Sequence, residues 1–366
     1  MSAVFRKFLK ILAGFIALVL IYIAGVLIYG TLNDFQPTGI EKLTLKQRAE
    51  TEIVTDSTLD FLIWNVGYSG LGAESDFFFD NGGLFLSNGN MVITPENLVE
   101  KNYSGILDFL KNNPADFFLL QEVDVESKRS YFKNMLAGLS GAFPKNAAAF
   151  AVNYRADWVA IPVLEPWKAY GKTESGLVSL SKYEPVSSFR HQLPGNFSWP
   201  DKIFQLDRCA LLHRFRTNFG KDLVVINIHN SAHDKTGEIK KQQLAYLKKL
   251  FLEEFEKGNF VVVGGDWNEC PPIFDFDKFM PGNAQGFFQS NIPADFLPEG
   301  WKWVYDKNIP TNRKCRSVYK KGETFVTLID FFVVSPNVEV IDVAASDLDF
   351  QFSDHQPVRM KVRLKI

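Results

Sequence analysis

Asp266 and Asn268 close "VVVGGDWNEC", residues 261–270, and so bring a carboxylate and a carboxamide to the end of a run with buried-strand composition. If the strand stays extended, a spacing of two puts both on one side. There the carboxylate can orient and deprotonate a water while the carboxamide holds a phosphate oxygen. The same stretch reads equally as a turn, because Gly, Asp and Asn are turn formers. The arrangement recurs, however. "FLIWNVG" ends in Asn65, "FFLLQEVD" in Gln121 and Glu122, and "VVINIHNSAHD" carries His229 and Asn230. "TLIDFFVV" holds Asp330, and "FQFSDHQPV" places Asp354 and His355 before the last apolar run. Magnesium takes hard oxygen ligands, usually one or two carboxylates with waters and substrate phosphate. Glu122 is the best candidate for such a ligand, with Asn65 beside it. Taken singly, Glu122 reads as a solvated strand end and His229 as a satisfied core histidine. Turns alone give no reason for six apolar segments to end in this choice of residues.

Those residues need elements to hold them. Apolar runs of strand length recur from Leu59 onward, among them "LDFLIWNV", "ADFFLLQEV", "SGLVSLS", "KDLVVINIH", "NFVVVGGD" and "PVRMKVRL". Several are apolar on both faces, as strands between layers must be. Two helical patterns lie between them. "TPENLVEKNYSGILDFLKNN" places Leu98, Tyr103, Ile106, Leu107 and Leu110 on one side, and Thr94-Pro95 starts it. "TGEIKKQQLAYLKKLFLEEFEKGN" turns Ile239, Leu244, Leu247 and Leu250 or Phe251 inward and closes at Gly258. With no composition break, residues 59–366 are expected to form one α/β domain of layered sheets and helices.

The chain has 366 residues, 46% hydrophobic and 22% charged, enough to bury a sizeable core. Net charge is −2, and because Arg6, Lys7 and Lys10 precede any acidic residue, the remainder is more acidic still. A non-specific nucleic-acid binder usually shows the opposite excess. Cys209, Cys270 and Cys315 have no metal-ligand spacing, so no zinc site is expected. One disulfide or three buried thiols both suit them.

Residues 1–10 form a basic segment, and 11–30 open with "ILAGFIALVLIYIAGVLIY", uncharged and close to the ~20 residues that cross a bilayer as a helix. A cleaved secretory signal has a shorter apolar core and a small-x-small site, which "GTLNDFQP" does not offer. The expectation is a single-pass anchor in the cell membrane, N-terminus cytoplasmic and the domain extracytoplasmic. Residues 31–58, polar and with the helix-prone "EKLTLKQRAE", are expected to be a tether.

The ordered set "WN", "LLQEVD", "GLVSLS", "INIHNSA", "GGDWN", "LIDFFVV" and "SDHQPV" resembles the endonuclease/exonuclease/phosphatase superfamily. These are metal-dependent phosphoesterases that include deoxyribonuclease I, abasic-site endonucleases, inositol-phosphate phosphatases and sphingomyelinases. The resemblance spans about residues 59–366. It implies a four-layer α/β sandwich, two packed mixed sheets flanked by helices, with the active site at one edge of both sheets. By that resemblance Glu122 binds Mg²⁺, with Mn²⁺ the other candidate, and Asn65 contributes at the metal and phosphate. Asp266 orients the attacking water, Asn268 and His229 contact the scissile phosphate, His355 is the second catalytic histidine held by Asp330, and Asp354 supports metal or histidine. The implied partners are a phosphate-ester substrate (nucleic acid, phospholipid or soluble ester) and a lipid bilayer around residues 11–30; no protein partner is implied.

The third position of "GDWN" is usually Phe, Leu or Met in that superfamily, and Trp267 is expected to pack away from its polar neighbours. "GYSGLGAESDFFFDNGGLFLSNGNMV", residues 67–92, is an insertion that could cover the site, contact lipid or simply pack. "TNRKCRSVYKKG" could grip an anion or be a solvated loop, and "LPGNFSWP" is expected to be packing. The alternatives from other classes are an inactive membrane-anchored binding module on the same fold and a structural envelope protein, for which only the anchor argues.

Overall fold

In the computed structural model, residues 3–366 are described apart from 233, 235, 276, 277 and 281–289. The strands sort into two large sheets. One runs β1 (Ile40–Lys42), β6 (Ser187–Gln192), β7 (Cys209–Phe215), β8 (Leu223–His229), β9 (Phe260–Asp266), β13 (Asp330–Val334), β10 (Lys302–Val304). The other runs β14 (Val338–Ala345), β15 (Val358–Leu364), β2 (Thr58–Asn65), β3 (Phe117–Asp124), β5 (Gly171–Ser181), β4 (Ala147–Val159). A small ribbon pairs β11 (Asn312–Arg313) with β12 (Val326–Thr327).

The inner faces of the two sheets share a core in which Phe61, Ile63 and Phe117 meet Val225, Val262 and Phe332. The outer face of the first sheet packs Val224, Ile226 and Val263 against Leu247 and Phe251 of α4 (Glu238–Glu256). The outer face of the second packs Trp64, Phe118 and Leu120 against Ile106 of α2 (Glu96–Asn112) and Leu139 of α3 (Met135–Ala142). The result is a four-layer α/β/β/α sandwich. It explains why β8 and β9 are buried along their whole length and carry no polar face.

Two crossovers gather the polar strand ends. β2 and β3 are parallel neighbours joined through α2, and β8 and β9 are parallel neighbours joined through α4. Each crossover brings two carboxyl-terminal strand ends side by side, pairing Asn65 with Gln121 and His229 with Asp266. Antiparallel β13 then sets Asp330 opposite Asp266.

The paired glycines of "VVVGGD" answer to this packing. A Cβ on Gly264 would stand 2.6 Å from the Phe332 ring and 2.7 Å from Ile63 of the facing sheet. Gly265 has φ +145°, and a Cβ there would lie 2.1 Å from the Ile228 carbonyl oxygen. Gly265→Ala is therefore expected to destabilise the domain by more than ~2 kcal/mol, since backbone strain and an unrelieved clash add. Chemical denaturation, with urea midpoints compared between variant and parent, checks this.

Residues 31–58 correct the expected tether. After α1 (Ala3–Leu32), β1 extends the first sheet beside β6, and Gln47, Thr51 and Val54 make bridges to Ala148, Tyr183 and Thr217. The helix-prone stretch is extended because alternating Leu43 and Leu45 pack against a buried cluster, and a period of two outweighs the helix propensity of Glu, Lys and Gln. α2 buries Val99, Asn102, Ile106 and Leu110, a face rotated from the expected one, since Asn102 Nδ2 donates to the Ser69 carbonyl at 2.9 Å. The three cysteines are buried free thiols. Trp267 is fully buried, stacks on Phe331 at 5.0 Å and donates its indole N–H to the Phe331 carbonyl.

Candidate active site

The two βαβ units end at one cavity of about 710 Å³. Glu122, His229, Asp266, Asn268, Asp354 and His355 line it, and Asn65 and Asp330 sit directly behind, each bonded to a lining residue.

Glu122 reaches the cavity through a break in its strand. The register of β3 against β5 shifts between Leu120 and Val123, and Glu122 has φ +54°, sparsely populated by any residue with a side chain. Gln121 turns into the inter-sheet layer, donating to Asn227 Oδ1 at 2.7 Å, while Glu122 turns to the cavity. Asn65 links the two sheets: its Nδ2 donates to Glu122 Oε1 at 3.2 Å and to Asp266 Oδ2 at 3.1 Å, and its Oδ1 accepts from the Gly67 amide.

Asp266 is 1% exposed. Its Oδ1 accepts the Asn268 amide at 2.9 Å, an Asx-type turn that leaves Asn268 at φ +51°. The turn reading and the site reading of "GDWN" are thus both realised. The Asn268 carboxamide is fixed by donation to the Asn230 carbonyl. His229 Nε2 lies 3.3 Å from Asp266 Oδ2. Burial, then the cations Arg208, His355 and Arg129, push the His229 pKa well down, so its imidazole is neutral. Nε2 faces the Asp266 carboxylate, and Nδ1 is buried without a hydrogen-bond partner.

His355 is the opposite case. Burial opposes its charge, yet the carboxylates of Asp330, Asp266 and Asp354 push its pKa up to about 10. Nδ1 holds Asp330 Oδ2 at 2.8 Å, which fixes the ring and leaves Nε2 facing Asp266 at 3.8 Å.

Three neighbours went unrecognised in the sequence. Asn312 puts its carboxamide 3.0 Å from His355 Nε2. Lys240, near the start of α4, donates to the Asn268 carbonyl at 3.0 Å. Arg208, immediately before β7, is buried and lines the cavity, and its Nη1 has no partner. Burial pushes its pKa down while Asp266 and Glu122 pull it up, so it stands within the field of both. The only signal for it is a charged residue abutting an apolar strand whose neighbour in the sheet ends in His229.

Elsewhere in the cation-rich loop, Arg313 is a strut: it is 1% exposed and donates to the carbonyls of Leu71, Gly72 and Ser75. Arg313, Lys314 and Arg316 all line the cavity. "LPGNFSWP" sends Phe197 into the cavity wall and leaves Trp199 exposed, so it is more than packing.

A two-sheet sandwich with carboxylates, carboxamides and imidazoles at the carboxyl ends of its strands defines a class of phosphate-ester hydrolases. The chain belongs to the Endonuclease/Exonuclease/phosphatase family, whose profile it matches over residues 62–355. Carbon catabolite repressor protein 4 homolog 4 of Arabidopsis thaliana is 25% identical over 256 residues, 63% of this chain and 59% of that protein, so the chain spans less than two thirds of that relative. Among solved structures, the endonuclease/exonuclease/phosphatase from Beutenbergia cavernae superposes with a TM-score of 0.53 at 16% identity, covering 84% of this chain and 72% of its own. D. rerio TDP2, crystallised with a single-strand DNA product, gives a TM-score of 0.51 at 16% identity, covering 84% and 100%. At these identities the structural likeness speaks for the fold.

Proposed function

We propose that the chain is a membrane-anchored hydrolase of phosphate esters that works with a divalent cation, Mg²⁺ or Mn²⁺. The observation that carries this reading is the convergence of Glu122, Asp354, Asp266, His229 and His355 on one cavity.

The residues fit a hard cation. Among the described residues neither Glu122 nor Asp354 pairs with Lys or Arg, and burial, with repulsion from Glu122, pushes the Asp354 carboxyl up to about 6. Two carboxylates that repel one another, with no Lys or Arg bound to either, suit an ion that takes oxygen ligands. Asp266, Asp330 and His355 also bring ligand atoms within 4.8 Å of one another. There, however, Nδ1 of His355 is engaged by Asp330, so that group suits proton transfer better. A divalent cation held by Glu122, Asp354 and the Asn65 amide would supply Lewis-acid polarisation of the phosphoryl group.

The chain's own residues do the rest. Asp266 takes a proton from water as the water oxygen bonds to phosphorus. The P–O bond to the leaving group breaks, and the His355 imidazolium, held by Asp330, delivers its Nε2 proton to the departing oxygen. His229 Nε2–H, Asn268 Nδ2 and Arg208 face the non-bridging oxygens, where negative charge builds. α1 is long and apolar enough to cross a bilayer, and Arg6, Lys7 and Lys10 would stay on the cytoplasmic side.

The test is hydrolysis of bis-p-nitrophenyl phosphate and p-nitrophenyl phosphate by the full chain with Mg²⁺ or Mn²⁺ and with EDTA. Release that chelation abolishes is expected, and the preferred compound separates diesterase from monoesterase. Folded protein that releases nothing from these, from DNA, RNA or phospholipid overturns the reading. Arg208→Met is expected to lower kcat/KM by ~10²–10³, the usual effect of losing one charge-stabilising donor. It should leave the thermal midpoint equal or higher, because an unpaired buried cation is removed. A merely structural arginine would give the reverse: lost stability and unchanged kinetics.

A further inference from the structure

The cavity has a second end. Away from Asp266 it is walled by Phe77, Phe78, Tyr154, Tyr170, Phe204 and Leu206. Phe77 and Phe78, from the 67–92 insertion, meet the Tyr170 ring at 6.3 and 6.2 Å, and Tyr154 donates to the Phe204 carbonyl. At this end Arg129 is already bound by Asp124 through Nε and Nη2 and by the Tyr170 hydroxyl, and Arg316 Nε by the Asp80 carbonyl. A chamber of this composition solvates hydrocarbon better than phosphate or sugar.

The chamber wall continues outward into an exposed apolar lip. Ile161 lines the cavity, and just beyond it the Val163 and Leu164 amides donate to the carbonyls of Leu84 and Phe85. This joins two loops that expose Leu84, Phe85, Leu86, Leu164 and Trp167, the last at 73%. A cluster of large side chains of this kind marks an interaction surface.

α1 says what covers it. Its half-covered positions are Val19, Tyr22, Ile23, Val26, Leu27 and Gly30, a stripe at helical spacing that faces β4 and the 201–204 turn. Trp199 donates to Thr31 Oγ1, and Gly30 lies against Ile203, so the end of α1 is fastened to the segment that supplies Phe204. Twelve residues of helix are about 17 Å, more than half of a ~30 Å hydrocarbon core. If α1 spans, its fastened end holds the chamber wall against the bilayer surface.

The geometry points to a hydrocarbon-chain site: the aromatic end of the cavity takes the tail of an amphiphilic phosphate ester drawn from the bilayer that α1 crosses, with the 84–86 and 164–167 loops seated in the lipid. This rests on the phosphoesterase reading and names its substrate class.

The experiment uses the full chain in phosphatidylcholine nanodiscs with methyl, hexyl and dodecyl p-nitrophenyl phosphate. In each, water adds to phosphorus and the bond to p-nitrophenolate breaks, leaving the alkyl phosphate. The expected result is a kcat/KM at least tenfold higher for dodecyl than for methyl, with that ratio below threefold in Leu206→Trp, which fills the chamber, and in Phe204→Ser, which wets it. Partition into the disc is common to all three proteins, so the comparison isolates the chamber. A ratio unchanged in both variants overturns the inference, and so does an oligonucleotide preferred over every alkyl ester. If folded protein hydrolyses nothing, the phosphoesterase reading fails, and a diazirine-tailed phosphatidylcholine in the same discs decides the tail site. Crosslinks at residues 197–206 support it, and crosslinks confined to α1 overturn it.

Discussion

Asp266→Asn should lower kcat by ~10³–10⁴ or more, because a general base alone contributes up to about four orders of magnitude and this carboxylate also sets its neighbours. Oδ1 receives the Asn268 amide, and Oδ2 receives Asn65 Nδ2 with His229 Nε2 at 3.3 Å. An asparagine keeps the shape and has one acceptor in place of two. With its oxygen toward Asn65, its NH₂ group confronts the Asn268 amide; reversed, it confronts Asn65. Either orientation forfeits one buried hydrogen bond, about 1–2 kcal/mol, which a domain of this size tolerates. Turnover should therefore vanish while the variant keeps the parent's near-UV circular dichroism and metal affinity. Steady-state rates beside those spectra check it. Activity within tenfold of the parent would remove Asp266 from the chemistry and shift the search for a base to His229.

The fold was legible because the strands are apolar on both faces. "LVVINIH" and "VVVGG" have no place in a half-solvated sheet, and two long amphipathic helices between such strands imply layers on both sides. The order of polar residues at the strand ends was legible too, since crossover connections bring successive carboxyl ends together. What the sequence hid depends on pairing. Glu122 alternates out of phase with a cavity-facing position until the bulge against β5 turns it, and a bulge is a property of two strands. Arg208 looks like any solvated arginine at a strand start, and its burial in the cavity wall depends on the tertiary fold. In "TNRKCRSVYKKG", identical charges divide into a buried strut at Arg313 and a half-buried Lys314, decided by carbonyls about 240 residues away in sequence. Leu43 and Leu45 mislead because the helix propensity of their neighbours masks a short alternation whose worth depends on the cluster it meets.

Glu122→Gln should raise the Mg²⁺ or Mn²⁺ concentration for half-maximal turnover by at least ~10²-fold, since even residues one shell further out shift metal affinity 10–100-fold. The substitution keeps side-chain length, the φ of +54° and the option of accepting from Asn65 Nδ2 through its amide oxygen. What it removes is one negative charge that repels the Asp354 carboxylate. Asp354 then faces less repulsion, so the variant's cavity should be more stable without metal and less stabilised by it. Two readouts check this: a metal titration of activity displaced to high concentration, and a smaller rise in thermal midpoint on adding Mn²⁺, because stabilisation by a ligand tracks its affinity for the folded state. A pure positioning role for Glu122 would lower kcat and leave both titrations in place. In that outcome the Asp266, Asp330 and His355 cluster becomes the candidate metal centre, and Asp330→Asn, in place of Glu122→Gln, should displace the metal titration.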